Sequence, residues 1–237
     1  MSNYIKGIYV ALVLFVLPLS FSYAQKHNVE AVDLGLSVKW ANMNVGASSP
    51  YEYGGYYAWG EIEEKRFYYG SISSKHIKVT VIPGQEDLQT VNLILDTLRY
   101  STRDKKILLE ENDDVAFMSW GAEWRIPTAE QMQELVDNCH WTPVSKNGTN
   151  GFLVYSKVNS NSIFLPLAGY KTGHQSKGTE RRYCSRIGIY WTSSLSDDAS
   201  MSHVLSISKG GDEDLTGIVS MGYNVRTDGC VVRPVCK

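Results

Sequence analysis

The chain has 237 residues, a formal net charge of −2 and 43% hydrophobic residues. Its 23 basic residues are scattered among 25 acidic ones, so it offers no basic patch for a phosphate backbone, and nucleic acid is not an expected partner. This length can form one large domain, or less readily two small ones. No Pro- or Ser-rich linker divides the sequence, and we expect a single domain.

The first 24 residues have the features of a secretory signal. Lys6 precedes an uncharged apolar run over 7–21, and Ser22 and Ala24 are small residues at the −3 and −1 positions of a cleavage site. The alternative is an uncleaved membrane anchor. It is disfavoured because a bilayer needs roughly 20 apolar residues and Pro18 interrupts a shorter run. We expect an exported protein with no membrane span after cleavage.

The mature chain begins with a two-residue alternation. Within residues 32–45, VDLGLSVKWANMNV, the hydrophobic side chains Leu34, Leu36, Val38 and Trp40 fall on every second position. This period is typical of a half-buried strand, and we predict one here.

An aromatic stretch follows, PYEYGGYYAWGE, in which a double glycine permits a tight turn. Tyr57 and Trp59 are two residues apart and share one face, so we assign both to the core. The other rings, Tyr51, Tyr53 and Tyr56, are the candidate ligand-binding residues, because aromatic rings stack on sugars as well as on each other.

Residues from about 70 to 111 differ in composition from the rest of the chain. They are rich in Lys, Asp and Glu. Leu88, Val91, Leu95 and Leu98 recur at roughly helical spacing. We predict an irregular insertion that contains one helix.

The clearest local signal is the segment WRIPTAEQMQELVDNCHW. Thr128 and Gln131 have the spacing of a capping box at a helix start. Hydrophobic positions then recur at i, i+3, i+4 and i+7, namely Met132, Leu135, Val136 and Cys139. Polar residues face away, namely Glu130, Gln133, Glu134 and Asp137. An amphipathic helix buried along one stripe is predicted.

The second half of the chain reads as short strands separated by Asn, Ser, Gly and Asp clusters. The predicted strands are 152–158, 163–165, 188–193, 203–208, 217–222 and 230–235, with a hairpin turn at NSNS between the first two. One or two helices early and an antiparallel sheet late predict an α+β domain.

Four cysteines occur, and all belong to the second half: Cys139, Cys184, Cys230 and Cys236. An even number in an oxidising compartment favours two disulfides, with three possible pairings. If 230–235 is a continuous strand, Cys230 and Cys236 lie almost 20 Å apart, beyond the reach of a disulfide, so each would need another partner.

The sequence predicts no metal or cofactor site. The five histidines, His27, His76, His140, His174 and His203, include no pair at metal-binding spacing. A Gly-x-Ser-x-Gly nucleophile motif and a Gly-rich phosphate loop are both missing.

Several motifs in one order resemble a known family. These are VDLGLSVKWANMNVGASSPYEYGGYYAWGE, ENDDVAFMSWGAEWRIPTAEQMQELVDNCHW, NGTNGF, SIFLPLAGY, YWTSS and VVRPV. Together they are similar to the Fibrobacter succinogenes major paralogous domain, which is common in exported proteins of gut Bacteroidetes. The resemblance covers roughly 32–235 and diverges at the insertion and at 171–186. It implies one domain over 25–237, of C-type-lectin-like fold.

The resemblance also implies structural roles. Trp59, Trp124 and Trp191 are expected in the core, together with Trp120. The charged residues of the matched motifs, Glu61, Arg125 and Arg233, are expected in internal ion pairs and hydrogen bonds, with Glu61 meeting one of the arginines. Family members often carry a cysteine at the position of Met43, so Cys139 would be free or re-paired here.

The fold implied by the resemblance also occurs in proteins with two kinds of functional site, which are alternatives here. Formylglycine-generating enzymes of related fold bind copper through two nearby thiols, but the spacing of Cys230 and Cys236 on a strand does not favour this. A calcium-dependent sugar site would need a ring of oxygens, for which Asp212, Glu213 and Asp214 are the nearest substitute. We expect an exported, non-catalytic binding module for a glycan or a protein, with ligand contacts from the insertion and residues 171–186. A subunit of a surface assembly is a further alternative.

Overall fold

The computed structural model describes residues 29–68, 75, 77–81, 93–97, 99–101, 104–174, 178–210 and 217–237. The predicted signal sequence over residues 1–24 lies outside these ranges. So do His27, His76 and the acidic trio Asp212, Glu213 and Asp214.

Antiparallel strands dominate the described residues, and two α-helices precede most of them. The strands are β1 (Ala31–Val32), β2 (Lys39–Ala41), β3 (Ile77–Val81), β4 (Leu93–Thr97), β5 (Cys139–Lys146), β6 (Thr149–Ser156), β7 (Ser162–Pro166), β8 (Tyr170–His174), β9 (Gly178–Arg182), β10 (Ile187–Leu195), β11 (Met201–Ser208), β12 (Ile218–Val225) and β13 (Val235–Cys236). The helices are α1 (Val115–Trp120) and α2 (Ala129–Asn138), with a 3-10 turn at Glu111–Asp113.

The strands form small antiparallel sheets. Their orders are β1-β2-β13, β5-β6-β7 and β10-β11-β12, with two further hairpins, β3-β4 and β8-β9. The first sheet joins the beginning of the described chain to its end, because Val235 lies opposite Trp40. At this level the architecture agrees with the predicted α+β class.

The alternation over residues 32–45 predicted burial correctly and secondary structure only in part. Leu34, Val38 and Trp40 are buried, and Leu36 is partly buried against the same core. However, only Ala31–Val32 and Lys39–Ala41 are strands. The chain turns between them because Gly35 adopts a φ of 70° and its N–H donates to the Asp33 carboxylate.

The helix predicted in the insertion is wrong where the structure describes it. Residues 93–97 are strand β4, paired antiparallel with β3 so that Leu95 lies opposite Val79. Ile, Val and Thr dominate these two strands, and their branched side chains favour extended backbone. Of the four leucine and valine positions that suggested a helix, Leu88, Val91 and Leu98 lie outside the described residues.

Helix α2 confirms the capping prediction in detail. The Thr128 hydroxyl accepts from the Gln131 N–H, and the Gln131 side chain accepts from the Thr128 N–H. Met132 and Leu135 are buried on the inner stripe. At Cys139 the backbone becomes extended and passes directly into β5.

Strand β5 was not predicted, although the sequence carries a signal for it. The hairpin of β5 and β6 closes between Lys146 and Thr149, which face each other in register. The two turn residues, Asn147 and Gly148, have φ angles of 48° and 78°. Asn-Gly with positive φ at both positions is the typical two-residue hairpin turn.

The buried hydrophobic side chains form two clusters. One lies between α2 and strands β6, β7 and β11 and includes Trp40, Phe152 and Leu205. The other surrounds Trp59 and Trp191. Within the described parts of the chain, no helix is both long enough and apolar enough to cross a bilayer.

Candidate functional site

The three candidate ligand tyrosines do not form an open platform. Tyr56 is 3% exposed, and its hydroxyl donates to the carbonyl of Ala168 at 2.7 Å. Burial raises the pKa of this hydroxyl. Tyr56 therefore packs in the core, where its hydroxyl is bonded to the backbone.

Tyr51 and Tyr53 are half-buried and make internal contacts. The ring of Tyr51 lies 5.5 Å from that of Phe164. The hydroxyl of Tyr53 is 3.1 Å from the hydroxyl of Ser185, in the turn after the β8-β9 hairpin. The Tyr53 contact attaches the aromatic stretch to the 171–186 segment, and the Tyr51 contact attaches it to β7.

The other rings of the matched motifs lie where the sequence placed them. Tyr57, Trp59, Trp124 and Trp191 are buried, and Trp120 packs edge-on against Trp124. The indole N–H groups of Trp59 and Trp191 donate to the carbonyls of Thr192 and Tyr57, so both rings are hydrogen-bonded inside the core.

Glu61 does not meet either arginine, contrary to the expectation. Its carboxylate pairs with Lys65 at 2.6 Å, one helical turn's spacing away in sequence. Arg125 pairs instead with Glu111 at 2.9 Å and lies over the ring of Phe117. Glu61 and Arg125 each pair with a residue that is closer in sequence than the predicted partner.

Arg233 is fully buried and has only neutral partners among its hydrogen bonds. It donates to the Asn44 side chain and to the carbonyls of Ala41 and Phe164, at 2.8 to 3.0 Å. Burial lowers the pKa of its guanidinium to about 10. The expected structural role of Arg233 is thus met by hydrogen bonds to the backbone and an amide, which join the sheet of β2 to β7.

The predicted disulfides are absent, because all four cysteines are free. Cys139 belongs to the cluster around Phe152, and Cys230 belongs to the cluster around Trp59. Cys184 donates to the carbonyl of Ala168, and Cys236 lies in β13. Burial raises the pKa of Cys139 to about 11 and that of Cys230 well above its usual range. Across the described ranges, no cluster of His, Cys, Asp and Glu could hold a metal ion.

An open groove of about 580 Å³ lies between α2 and strands β11 and β12 of the β10-β11-β12 sheet. The helix contributes its polar side, which includes Glu130, Gln133, Glu134 and Asp137. The sheet contributes His203, Met221, Gly222 and Tyr223. The sequence analysis predicted that this side of α2 faces away from the core, and the groove is what it faces.

Two aromatic rings form the sheet side of the groove. His203 and Tyr223 are directly opposite each other in the β11-β12 register, with ring centroids 4.8 Å apart. Tyr223 is 60% exposed. Neither ring's polar atoms have a hydrogen-bond partner in the part of the chain that the structure describes, so both are available to a ligand.

The helix side of the groove is acidic. The pKa of Glu130 is lowered by hydrogen bonds from its own N–H and from Thr128, and further by His203. Glu134 is anchored by the N–H and hydroxyl of Ser37, and Asp137 accepts from Gln133 at 2.8 Å. The described residues that line the groove include no Lys or Arg.

Sequence reasoning did not single out His203 or Tyr223 as ligand residues. Strand β12 was predicted over 217–222, but it extends to Val225, so Tyr223 fell outside the predicted strand. The alternation of Val219, Met221 and Tyr223 across that boundary was the signal that could have placed Tyr223 beside α2.

Comparison with known proteins adds no relative. No family model matches the chain, and searches of curated proteins and of solved structures also found no match.

Proposed function

We propose that this protein is an exported, non-catalytic binding module of C-type-lectin-like fold, related to the Fibrobacter succinogenes major paralogous domain. Its ligand is a glycan or a protein, and the binding site is the groove between α2 and β12. The order of matched motifs in the sequence supports the family, and the secretory features of the first 24 residues support export.

One observation carries the proposal: the groove combines an exposed tyrosine ring and a half-buried histidine ring with polar side chains on a rigid frame. Tyr223 and His203 stand on paired strands, and Glu130 and Asp137 stand on a capped helix. Rings with an apolar body and a polar tip suit a binding surface, and groups on helices and strands are held more precisely than groups on loops.

The chemistry elsewhere supports binding over catalysis. Arg233 is saturated by internal acceptors, and Cys230 is buried with a raised pKa, which disfavours the thiolate that a copper site or a nucleophile needs. Cys230 also accepts a hydrogen bond from the Asn224 amide at 3.1 Å. These groups stabilise the fold.

The test compares the purified mature chain with a Tyr223→Ala/His203→Ala variant on glycan and peptide arrays. Tyr183→Ala is the matched control, because Tyr183 is 53% exposed and does not line the groove. The proposal expects at least one class of ligand, bound by the wild type and the control and lost in the groove variant. Ligand binding that is equal in all three proteins would contradict the site. Copper bound by a pair of thiols would contradict the non-catalytic role.

A further inference from the structure

Strand β12 has an open edge. It is the outer strand of its sheet and pairs with β11 through eight consecutive residue pairs, from Ile218 opposite Ser208 to Val225 opposite Met201. Apart from the turn at its end, where the Asp228 N–H donates to the Val225 carbonyl, no other strand or loop among the described residues hydrogen-bonds to the backbone of β12. With that exception, about half of its N–H and C=O groups point outward and have no hydrogen-bond partner in the described part of the chain.

The edge also lacks the usual protection against pairing. Natural proteins block open edges with charged residues, proline, bulges or a short strand. The β12 sequence, IVSMGYNV, contains no charge and no proline, and its register with β11 is unbroken. Its residues favour extended backbone, so the edge is suited to accept another strand.

Gly222, in the middle of this edge, is not required by the fold. Its φ is not in the left-handed region, and an added Cβ would meet only Val204, at 4.0 Å. A glycine inside a strand weakens it, and it often marks a place where another backbone comes close. Its backbone lines the groove, whereas a side chain at this position would point to the opposite face, beside Val204.

A strand added along β12 would lie in the groove beside α2. Met221 and Tyr223 line the groove together with the helix, so this face of the sheet points toward α2. Side chains of an added strand alternate between the two faces. Every second side chain would therefore face Glu130 and Asp137.

The charge of the groove selects among possible strands. A second copy of β12 carries no cation, and it would bring a second acidic α2 toward the first. An extended segment with Lys or Arg at alternate positions instead pairs with the helix carboxylates, and one of its cations can lie on the Tyr223 ring.

We propose that β12 and α2 together bind an extended, basic polypeptide segment by strand addition to the β12 edge. This inference rests on the proposed binding function and names its ligand class. Backbone hydrogen bonds to β12 provide affinity, and the acidic helix selects basic residues at every second position.

The probe is an acetylated and amidated octapeptide in which lysine alternates with threonine and valine. We expect it to bind the mature chain with an affinity that falls as salt rises. A Glu130→Lys/Asp137→Lys variant should bind about tenfold more weakly, because attraction becomes repulsion at two positions. The control is Glu63→Lys/Glu123→Lys, which has the same charge change at exposed residues outside the groove and should bind like the wild type.

Two peptide controls complete the experiment. Glutamate in place of lysine should abolish binding, and N-methylation of alternate backbone amides should weaken it at least tenfold. Equal binding of the N-methylated peptide would contradict strand addition, and an equal loss in both charge variants would contradict the role of α2. If the lysine peptide fails to bind while a glycan binds through the groove, this inference fails and the proposed function stands. If no array ligand binds either, both fail.

Discussion

The guanidinium of Arg233 donates to the side-chain oxygen of Asn44 at 2.8 Å, across 189 residues of sequence. The same amide donates to the carbonyl of Tyr53 at 2.8 Å. A buried cation near the end of the described chain is thus held by neutral groups near its beginning and in β7. Replacing any of these groups leaves a buried polar atom without its partner, which costs free energy.

Arg233→Met should lower the free energy of unfolding by about 3 kcal/mol, because three buried oxygens lose their donor. Urea unfolding measures the loss. Arg125→Met is the control: its ion pair with Glu111 is half-exposed, so it should cost about 1 kcal/mol. Equal losses in the two variants would contradict the structural role assigned to Arg233.

Gly169 should tolerate no side chain. Its φ is 63°, and an added Cβ would collide with the carbonyl oxygen of Arg182. Gly148 has a φ of 78° but has nothing within 4 Å of the same position. Gly148→Ala should cost about 1 kcal/mol from strain alone, and Gly169→Ala about 3 kcal/mol, because the backbone must also move. Similar thermal stability of the two variants would show that the close approach is not present in solution.

Thiol titration should find four free cysteines after denaturation without reductant. In the folded protein Cys184 and Cys236 should react first, because both are partly exposed. Cys139 and Cys230 should react only on unfolding, since burial removes access and raises their pKa values. A total of four thiols, of which two react quickly in the folded protein and two react only on unfolding, would agree with the structure. Fewer than four after denaturation would restore the disulfide prediction.

Asp228 should make the protein less stable as pH rises. Burial raises the pKa of its carboxyl from 3.8 to about 6. The folded state therefore holds a proton that the unfolded state has lost, and stability falls between pH 4 and pH 6. The loss is about 2–3 kcal/mol.

Asp228→Asn removes this titration. The free energy of unfolding of the variant, relative to the wild type, should rise by about 2–3 kcal/mol from pH 4 to pH 7. Asp198→Asn should show the opposite trend, because hydrogen bonds from Ser200 lower the pKa of Asp198. A difference for Asp228→Asn that does not change with pH would refute the burial effect.

Local patterns in the sequence predicted much of the fold. Capping by Thr128 and the stripe through Met132 and Leu135 depend on neighbours within one or two turns, and both are correct. The alternation at Leu34, Val38 and Trp40 predicted burial, but Gly35 bends the chain there, so burial did not imply a continuous strand. The spacing of hydrophobic residues predicts which side chains are buried, whereas the geometry of the turns determines whether the backbone forms a continuous strand.

The candidate site was harder to predict because it depends on contacts between distant segments. Tyr51, Tyr53 and Tyr56 are close in sequence, which suggested a single binding surface. In the structure the Tyr56 hydroxyl donates to the Ala168 carbonyl, and the Tyr53 hydroxyl lies beside the Ser185 hydroxyl. Tyr223 becomes a groove residue only because β12 places it beside α2. Neither relationship follows from local spacing.

Hydrogen exchange at β12 tests the central claim most directly. The outward amides of residues 218–225 should exchange quickly in the free protein and should become protected when the lysine peptide is added, together with slower exchange in the peptide itself. Protection should be lost in the Glu130→Lys/Asp137→Lys variant. Peptide binding that leaves residues 218–225 unprotected, or protects the 171–186 segment instead, would contradict the account.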